Sequence, residues 1–191
     1  MLTTVAFRVA GAALALWLWI AVRRLPVPRE PGLIWRFAVM GLLNNVIPFT
    51  LIVWGQQHVP SGLAAILNAT TAVLTVIVAT FAFPDERLTA RKGLSVLVGL
   101  AGVATVMGPD AIAAFDPASA GQLAILGASL SYAFAATFAR GAVRGLRPEV
   151  SAAGMLTAAT VFMIPAAFWT DGAPSLDYRP ATWAALGYLA F

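Results

Sequence analysis

Long apolar runs alternate along the chain with short polar segments, at a spacing that predicts membrane-spanning helices. Crossing a hydrocarbon core of about 30 Å takes roughly 20 apolar residues as a helix, and no run shows the alternating polarity of a membrane β-strand. A seventh run begins near Pro180 and continues to Phe191. The pattern predicts an all-α, polytopic transmembrane helix bundle with six full spans and the start of a seventh. The six predicted spans are residues 3–22, 37–57, 61–83, 93–107, 122–139 and 150–169.

Composition supports a lipid environment and excludes several classes of activity. Of the 191 residues, 60% are hydrophobic and 10% are charged, against roughly 25% charged residues in a soluble domain. The absence of cysteine excludes disulfides, iron–sulfur clusters and thiol catalysis. No glycine-rich loop precedes a Lys-Ser or Lys-Thr pair, and the single histidine, His58, gives no metal cluster or intramembrane Ser–His pair. We expect no cofactor, no nucleic-acid partner and no enzymatic activity.

Basic residues predict the orientation of the chain, because they concentrate in alternate loops, which face the cytoplasm. Met1 then lies outside the cytoplasm, and the chain is placed in the cell (inner) membrane. A start outside the cell, almost directly with a span, suggests that a helix upstream is missing. Acidic residues lie only in loops or at span ends, so the usual carboxylate proton relay is absent from the spans. The basic residues of the alternate loops are Arg23, Arg24, Arg29, Arg36, Arg87, Arg91, Lys92, Arg140, Arg144 and Arg147.

Arg8 is the one charged residue inside a predicted span. It would attract an anionic or zwitterionic substrate if it faced a central cavity. It lies within two turns of the start of the helix, so its side chain can equally extend to the outer interface. The sequence leaves both interpretations open.

Polar residues in the second span predict a site in the middle of the membrane. Pro48 has no backbone N–H, so the carbonyl of Asn44 loses its helical partner and the helix can bend. Asn45 and Gln56 are 11 residues apart and are predicted to share a face. A kinked helix with an amide stripe is typical of transporter binding sites. The alternative is interhelical hydrogen bonding that only holds the bundle together.

Other spans carry weaker candidates. Asn68 and Thr71 lie on one predicted face of the third span, where they would line a cavity or bond a neighbouring helix. Tyr132 in the fifth span would stack on a substrate or fill the bundle. Gly99 and Gly102 in the fourth span form a small-residue face, from which we expect close helix packing.

Three stretches resemble the EamA family of the drug/metabolite transporter superfamily. They are AFRVAGAALALW (residues 6–17), NNVIPFTLIVWGQQHVPSGLAAILNATTAVLTVIVATF (44–81) and DERLTARKGLSVLVGLAGVATVMGP (85–109). The resemblance implies a ten-helix transporter built from two five-helix inverted repeats with both ends cytoplasmic, of which this chain is a truncated member. Residues 1–109 would be the first repeat without its first helix, 110–121 an extracytoplasmic linker, and 122–191 a truncated second repeat. Ala72 stands where the family often has proline, so we expect a straighter third span there.

The resemblance implies export or exchange of small metabolites, amino-acid-like or drug-like, by alternating access. The rival interpretation is a non-transporting membrane scaffold, or a transporter remnant that needs a partner. Expected partners are a small-molecule substrate and the lipid bilayer, and a second copy of the chain would cover polar faces left exposed. The candidate residues of the substrate path are Arg8, Asn44, Asn45, Pro48, Gln56, Asn68, Thr71 and Tyr132.

Overall fold

The computed structural model describes residues 2–86 and 89–172, and these are helical, without strands. Six helices in this part of the chain are long and apolar enough to cross a membrane. They confirm the six predicted spans to within about four residues at each end, whereas the predicted seventh lies outside the described residues. The chain is therefore a multi-pass membrane protein. The helices are α1 (Leu2–Val22), α2 (Leu33–Gly55), α3 (Ser61–Ala82), α4 (Ala90–Met107), the short α5 (Pro109–Ala113), α6 (Ala120–Ala142) and α7 (Pro148–Asp171).

The described residues divide into two compact units. The first contains the residues up to Val46 together with those from Ala142 onward, and the second is Ile47–Gly141. The predicted repeats, 1–109 and 122–191, and the linker between them stay predictions from the resemblance.

Antiparallel packing of α1 on α7 organises the first unit. The backbone N–H and the hydroxyl of Thr3 both donate to Asp171 Oδ2 at 2.8 Å. Trp17 Nε1 donates to the Thr157 hydroxyl, also at 2.8 Å. From the first pair to the second, each helix covers the same 14 residues in opposite directions. This equality fixes the register, so that any residue of α1 can be matched to its level on α7.

The α2–α7 contact in the first unit depends on two glycines. A Cβ atom added at Gly41 would lie 2.8 Å from the backbone N of Ala159 and 2.9 Å from the carbonyl oxygen of Met155. A Cβ atom at Gly154 would lie 2.4 Å from the ring of Phe37. Lipid tails are as apolar as side chains, so helices in a membrane gain no hydrophobic energy by associating. Close backbone approach is then a main source of helix–helix attraction. Gly41 and Gly154 therefore bring the middle of α2 directly onto α7.

The second unit is built around the packing of α3 on α6. Leu63, Leu67 and Ile125 are buried together at its core. Where α2 ends, a Cβ atom at Gly55 would lie 2.7 Å from the carbonyl oxygen of Gly121, so only glycine permits this approach. The buried Gln122 side chain bonds the carbonyl of Ala114 at 2.9 Å and orders the loop that enters α6.

The third span is interrupted at Thr70, where one α-helical segment ends at Ala69 and the next begins at Thr71. Ala72 lies inside the second segment, and the expectation of a straighter helix there stays a prediction. Three hydroxyls serve the carbonyls at the break. Thr70 Oγ1 and Ser129 Oγ donate to the carbonyl of Leu67 at 2.6 and 3.1 Å. Thr71 Oγ1 donates to that of Asn68 at 2.7 Å. Hydroxyls that bond helix carbonyls can bend a helix without proline, and here they stand at the interruption.

The small-residue face of α4 is open, contrary to the packing expected from sequence. A Cβ atom at Gly99 or Gly102 would meet no atom within 4 Å. None of the residues of α4 is buried. Small residues permit close approach, but they do not supply the partner helix. Among the described residues, that partner is missing on this face.

An ion-pair network joins the end of α6 to the loop between α3 and α4. Arg140 bonds Asp85 at 2.7 Å and Glu86 at 3.2 Å, with its guanidinium 4.5 Å from the centre of the Phe83 ring. Lys92 bonds Glu86 at 2.5 Å. The hydrogen bond from Arg140 lowers the pKa of Asp85, and that from Lys92 lowers the pKa of Glu86. All four charged groups lie in or beside a loop that is rich in basic residues.

Neutralising Arg140 by Arg140→Gln is expected to lower Tm at neutral pH and to have little effect in acid. Asp85 and Glu86 have lowered pKa values in the folded state, so their ion pairs stabilise it above the ordinary values of 3.8 and 4.5. That stabilisation is lost as the pH falls through the lowered folded-state pKa values. The measurement is Tm of wild type and variant from about pH 7 to about pH 3, with Arg144→Gln as the control. A Tm difference that does not shrink in acid would contradict this account.

Candidate functional site

The eight predicted path residues fall into both compact units. Arg8, Asn44 and Asn45 belong to the first unit. The second unit contains the remaining residues, which are Pro48, Gln56, Asn68, Thr71 and Tyr132.

A π-helical turn interrupts α2 at Leu42–Val46, and Pro48 follows after one intervening residue. A π turn bonds residues five apart instead of four. The turn precedes Pro48, which has no backbone N–H to donate and whose ring would clash with the preceding turn of a regular α-helix. Pro48 itself is fully buried. The sequence predicted a local disruption at this proline, and the structure places it in the turn that contains Asn44 and Asn45.

The side-chain Nδ2 atoms of two asparagines in the π turn have either no hydrogen-bond acceptor or only a weak one. Asn45 is 4% exposed, and its Nδ2 atom has no hydrogen-bond partner. The half-buried Asn44 donates from Nδ2 to the thioether sulfur of Met155 at 3.4 Å. A thioether is only a weak acceptor. Buried polar groups are otherwise nearly always paired, so this turn concentrates unused donor capacity inside the protein.

Arg8 is exposed and lies far from the two amides. The register of α1 on α7 places it level with residue 166, eleven residues from Met155. At roughly 1.5 Å per residue this separation is about 16 Å along α7, farther than an arginine side chain extends. Within the first unit, the structure therefore brings Asn44 and Asn45 together and leaves Arg8 apart from them.

The predicted shared face of Asn45 and Gln56 stays a prediction. Gln56 follows the end of α2 at Gly55, and its side chain is exposed, whereas Asn45 is buried. The prediction assumed 3.6 residues per turn over the whole interval. The π turn ends at Val46, and the backbone N–H of Gln56 donates to the carbonyl of Ile52 at 2.8 Å.

The candidates in α3 and α6 are less enclosed. Asn68 is exposed beside the interruption of α3. The hydroxyl of Thr71 donates to the carbonyl of Asn68, so its proton is used within its own helix. Tyr132 is half-buried on α6. Their role in a path stays a prediction.

An apolar cavity of about 170 Å³ lies between α1 and α7 and contains none of the eight candidates. Phe7, Ile164 and Phe168 line the cavity together with Thr3, whose hydroxyl donates to Asp171. No group of His, Cys, Asp and Glu side chains suited to a metal ion occurs in residues 2–86 and 89–172.

Sequence reasoning missed Met155, Gly41 and Gly154. Met155 provides the weak acceptor for Asn44, and the two glycines bring α2 and α7 into contact. Small residues in both spans were visible in the sequence. Nothing in a single sequence, however, indicates which of many small residues faces which helix.

Comparison with known proteins gives a consistent result. Residues 1–108 match the sequence profile described as the EamA-like transporter family. The chain is also similar to a protein of Bacillus subtilis (strain 168) named "Uncharacterized transporter YoaV", at 23% identity over 179 residues. That similarity covers 93% of this chain, but the chain spans only 60% of the length of the relative. No solved structure matches.

Proposed function

The chain belongs to the EamA-like transporter family, and from this premise we propose that it moves small metabolites across the membrane by alternating access, as an exporter or exchanger. The observation that carries the proposal is the π turn of α2 with the buried Nδ2 atom of Asn45, which has no hydrogen-bond partner. Transporters build substrate sites near the midplane from interrupted helices whose polar groups are not used up by the fold. A purely structural helix would satisfy or replace such a group.

Within the first unit, Asn44 and Asn45 are the donors of the proposed path. Pro48 maintains the interruption of α2. The exposed Asn68 and Gln56, together with Thr71, Tyr132 and Arg8, would contact the solute elsewhere on its route. With the basic loops in the cytoplasm of an inner-membrane protein, residue 1 lies on the opposite side.

Counterflow into proteoliposomes tests the proposal. The purified protein is reconstituted, the vesicles are loaded with one unlabelled solute, and uptake of the same labelled solute is followed across a panel of amino acids and amphipathic cationic drugs. We expect several-fold faster uptake than in protein-free vesicles for at least one solute. Failure for every solute, with protein that is helical and monodisperse, would favour the rival scaffold interpretation.

A further inference from the structure

Asn45 is the most deeply buried candidate residue that has an unused polar atom, and its surroundings indicate the type of solute group that it would bind. The free atom is the nitrogen Nδ2, which donates hydrogen bonds and accepts none. The neighbouring Asn44 also offers Nδ2, bonded only to the sulfur of Met155 at 3.4 Å. An oxygen acceptor at Nδ2 of Asn45 would therefore gain a hydrogen bond that no protein group supplies.

Charge near the π turn favours a neutral acceptor over an anion. Residues 37–57 contain no charged side chain. Arg36 lies nine residues before Asn45, about 13 Å along the helix. The register of α1 on α7 places Arg8 away from the π turn. The guanidinium carbon of Arg23 lies 5.3 Å from the centre of the Trp19 ring. An anion moved into a buried site without a cation loses more hydration than amide donors return, whereas a neutral carbonyl loses little.

Position in the span argues that the acceptor comes from a solute. Asn45 lies twelve residues from the start of the 23-residue α2, about 18 Å along it. It is thus near the middle of a hydrocarbon layer about 30 Å thick, whereas the ester carbonyls of phospholipids lie at the edges.

From these observations we propose that the π turn of α2 is a recognition site for an uncharged carbonyl or amide oxygen of the solute, which accepts from Nδ2 of Asn45. This inference rests on the proposed transport function, because it specifies the group that the transported solute presents. The site requires no metal, cofactor or change of protonation. Selectivity follows from the donor being fixed in a turn held against α7 by Gly41.

The composition of the chain permits a direct test, because Asn44, Asn45 and Asn68 are its only asparagines. Protein labelled with ¹⁵N at asparagine gives three pairs of side-chain NH₂ signals, assigned with the single variants Asn44→Ala and Asn68→Ala. The probes are benzamide, benzoate and benzylammonium, which share a ring and differ in the group presented. We expect benzamide to shift the NH₂ protons of Asn45 downfield in a saturable way. Benzoate and benzylammonium should leave them in place, and the Asn68 signals serve as the internal reference.

Two results would overturn the inference. A saturable shift with benzoate but not with benzamide would mean that the site binds anions. Exchange of the Asn45 protons with water, with no shift by any probe, would mean that this amide is simply hydrated. Asn45→Leu provides a second measurement, since it should remove the benzamide effect on Asn44 while the Asn68 signals stay unchanged. Binding is measured without flux, so a negative NMR result with positive counterflow removes this inference alone, and the reverse removes only transport.

Discussion

Asn45→Leu is expected to reduce counterflow at least about tenfold while raising the stability of the protein. Leucine has nearly the shape of asparagine but no polar atoms. A buried donor without a partner costs about 1–3 kcal/mol, so its replacement by an apolar group of the same shape should stabilise the fold by about 1 kcal/mol. Loss of one solute hydrogen bond of about 1.4 kcal/mol weakens binding tenfold. The measurements are the initial counterflow rate and the free energy of unfolding in mixed micelles.

The opposite direction of the two effects separates a binding residue from a structural one. Gln57→Leu is the matched control, because it also replaces an amide by leucine, but at an exposed position whose side chain bonds its own helix at Val53. Its effect on stability should stay within about 0.5 kcal/mol, as for most surface substitutions, with counterflow unchanged. If Asn45→Leu destabilised the protein, the amide would be holding the fold together and the site would lose its main support.

Gly41→Ala is expected to destabilise the protein by about 1–3 kcal/mol, the usual cost of overpacking. The added methyl group would lie 2.8 and 2.9 Å from backbone atoms of α7, which cannot rotate away as a side chain can. The helices must therefore separate, and the contact that holds the π turn against α7 is weakened. The measurement is the free energy of unfolding in mixed micelles, with helix content checked by circular dichroism.

Gly102→Ala is the matched control for Gly41→Ala. Both glycines lie inside spans, but a Cβ atom at Gly102 would meet nothing within 4 Å. Alanine exceeds glycine in helix propensity by up to about 1 kcal/mol, so this variant should be neutral or slightly more stable. Equal losses of stability in both variants would show that the α2–α7 contact is not as close as the structure has it.

The spans could be predicted from the sequence because their signal is local. Length and apolarity alone identify α1 or α7, since every membrane-spanning helix must cross the same thickness of hydrocarbon. The open face of Gly102 on α4 could not be predicted in this way, because packing depends on which helix lies opposite. Hydropathy shows that a residue is in the membrane, but it does not show which residues it touches.

The candidate site was predicted only where the argument was local. Pro48 correctly indicated an interruption in α2, because its effect is limited to the preceding turn. A shared face of Asn45 and Gln56 depends on helix geometry over eleven residues, and it stays a prediction. The contact of Asn44 with Met155 joins residues 111 positions apart, and no spacing rule reaches that far.

The break in α3 has a consequence for how the helix moves. A proline would impose a break by its own covalent structure, in any surroundings. Here part of the bonding comes from Ser129, on another helix, which donates to the carbonyl of Leu67. The hydrogen bonding at the break is thus shared between α3 and its neighbour α6. If α6 withdraws from α3, the carbonyl of Leu67 keeps the bond from Thr70 and loses the one from Ser129, so the distance between the two helices sets how the break is hydrogen-bonded.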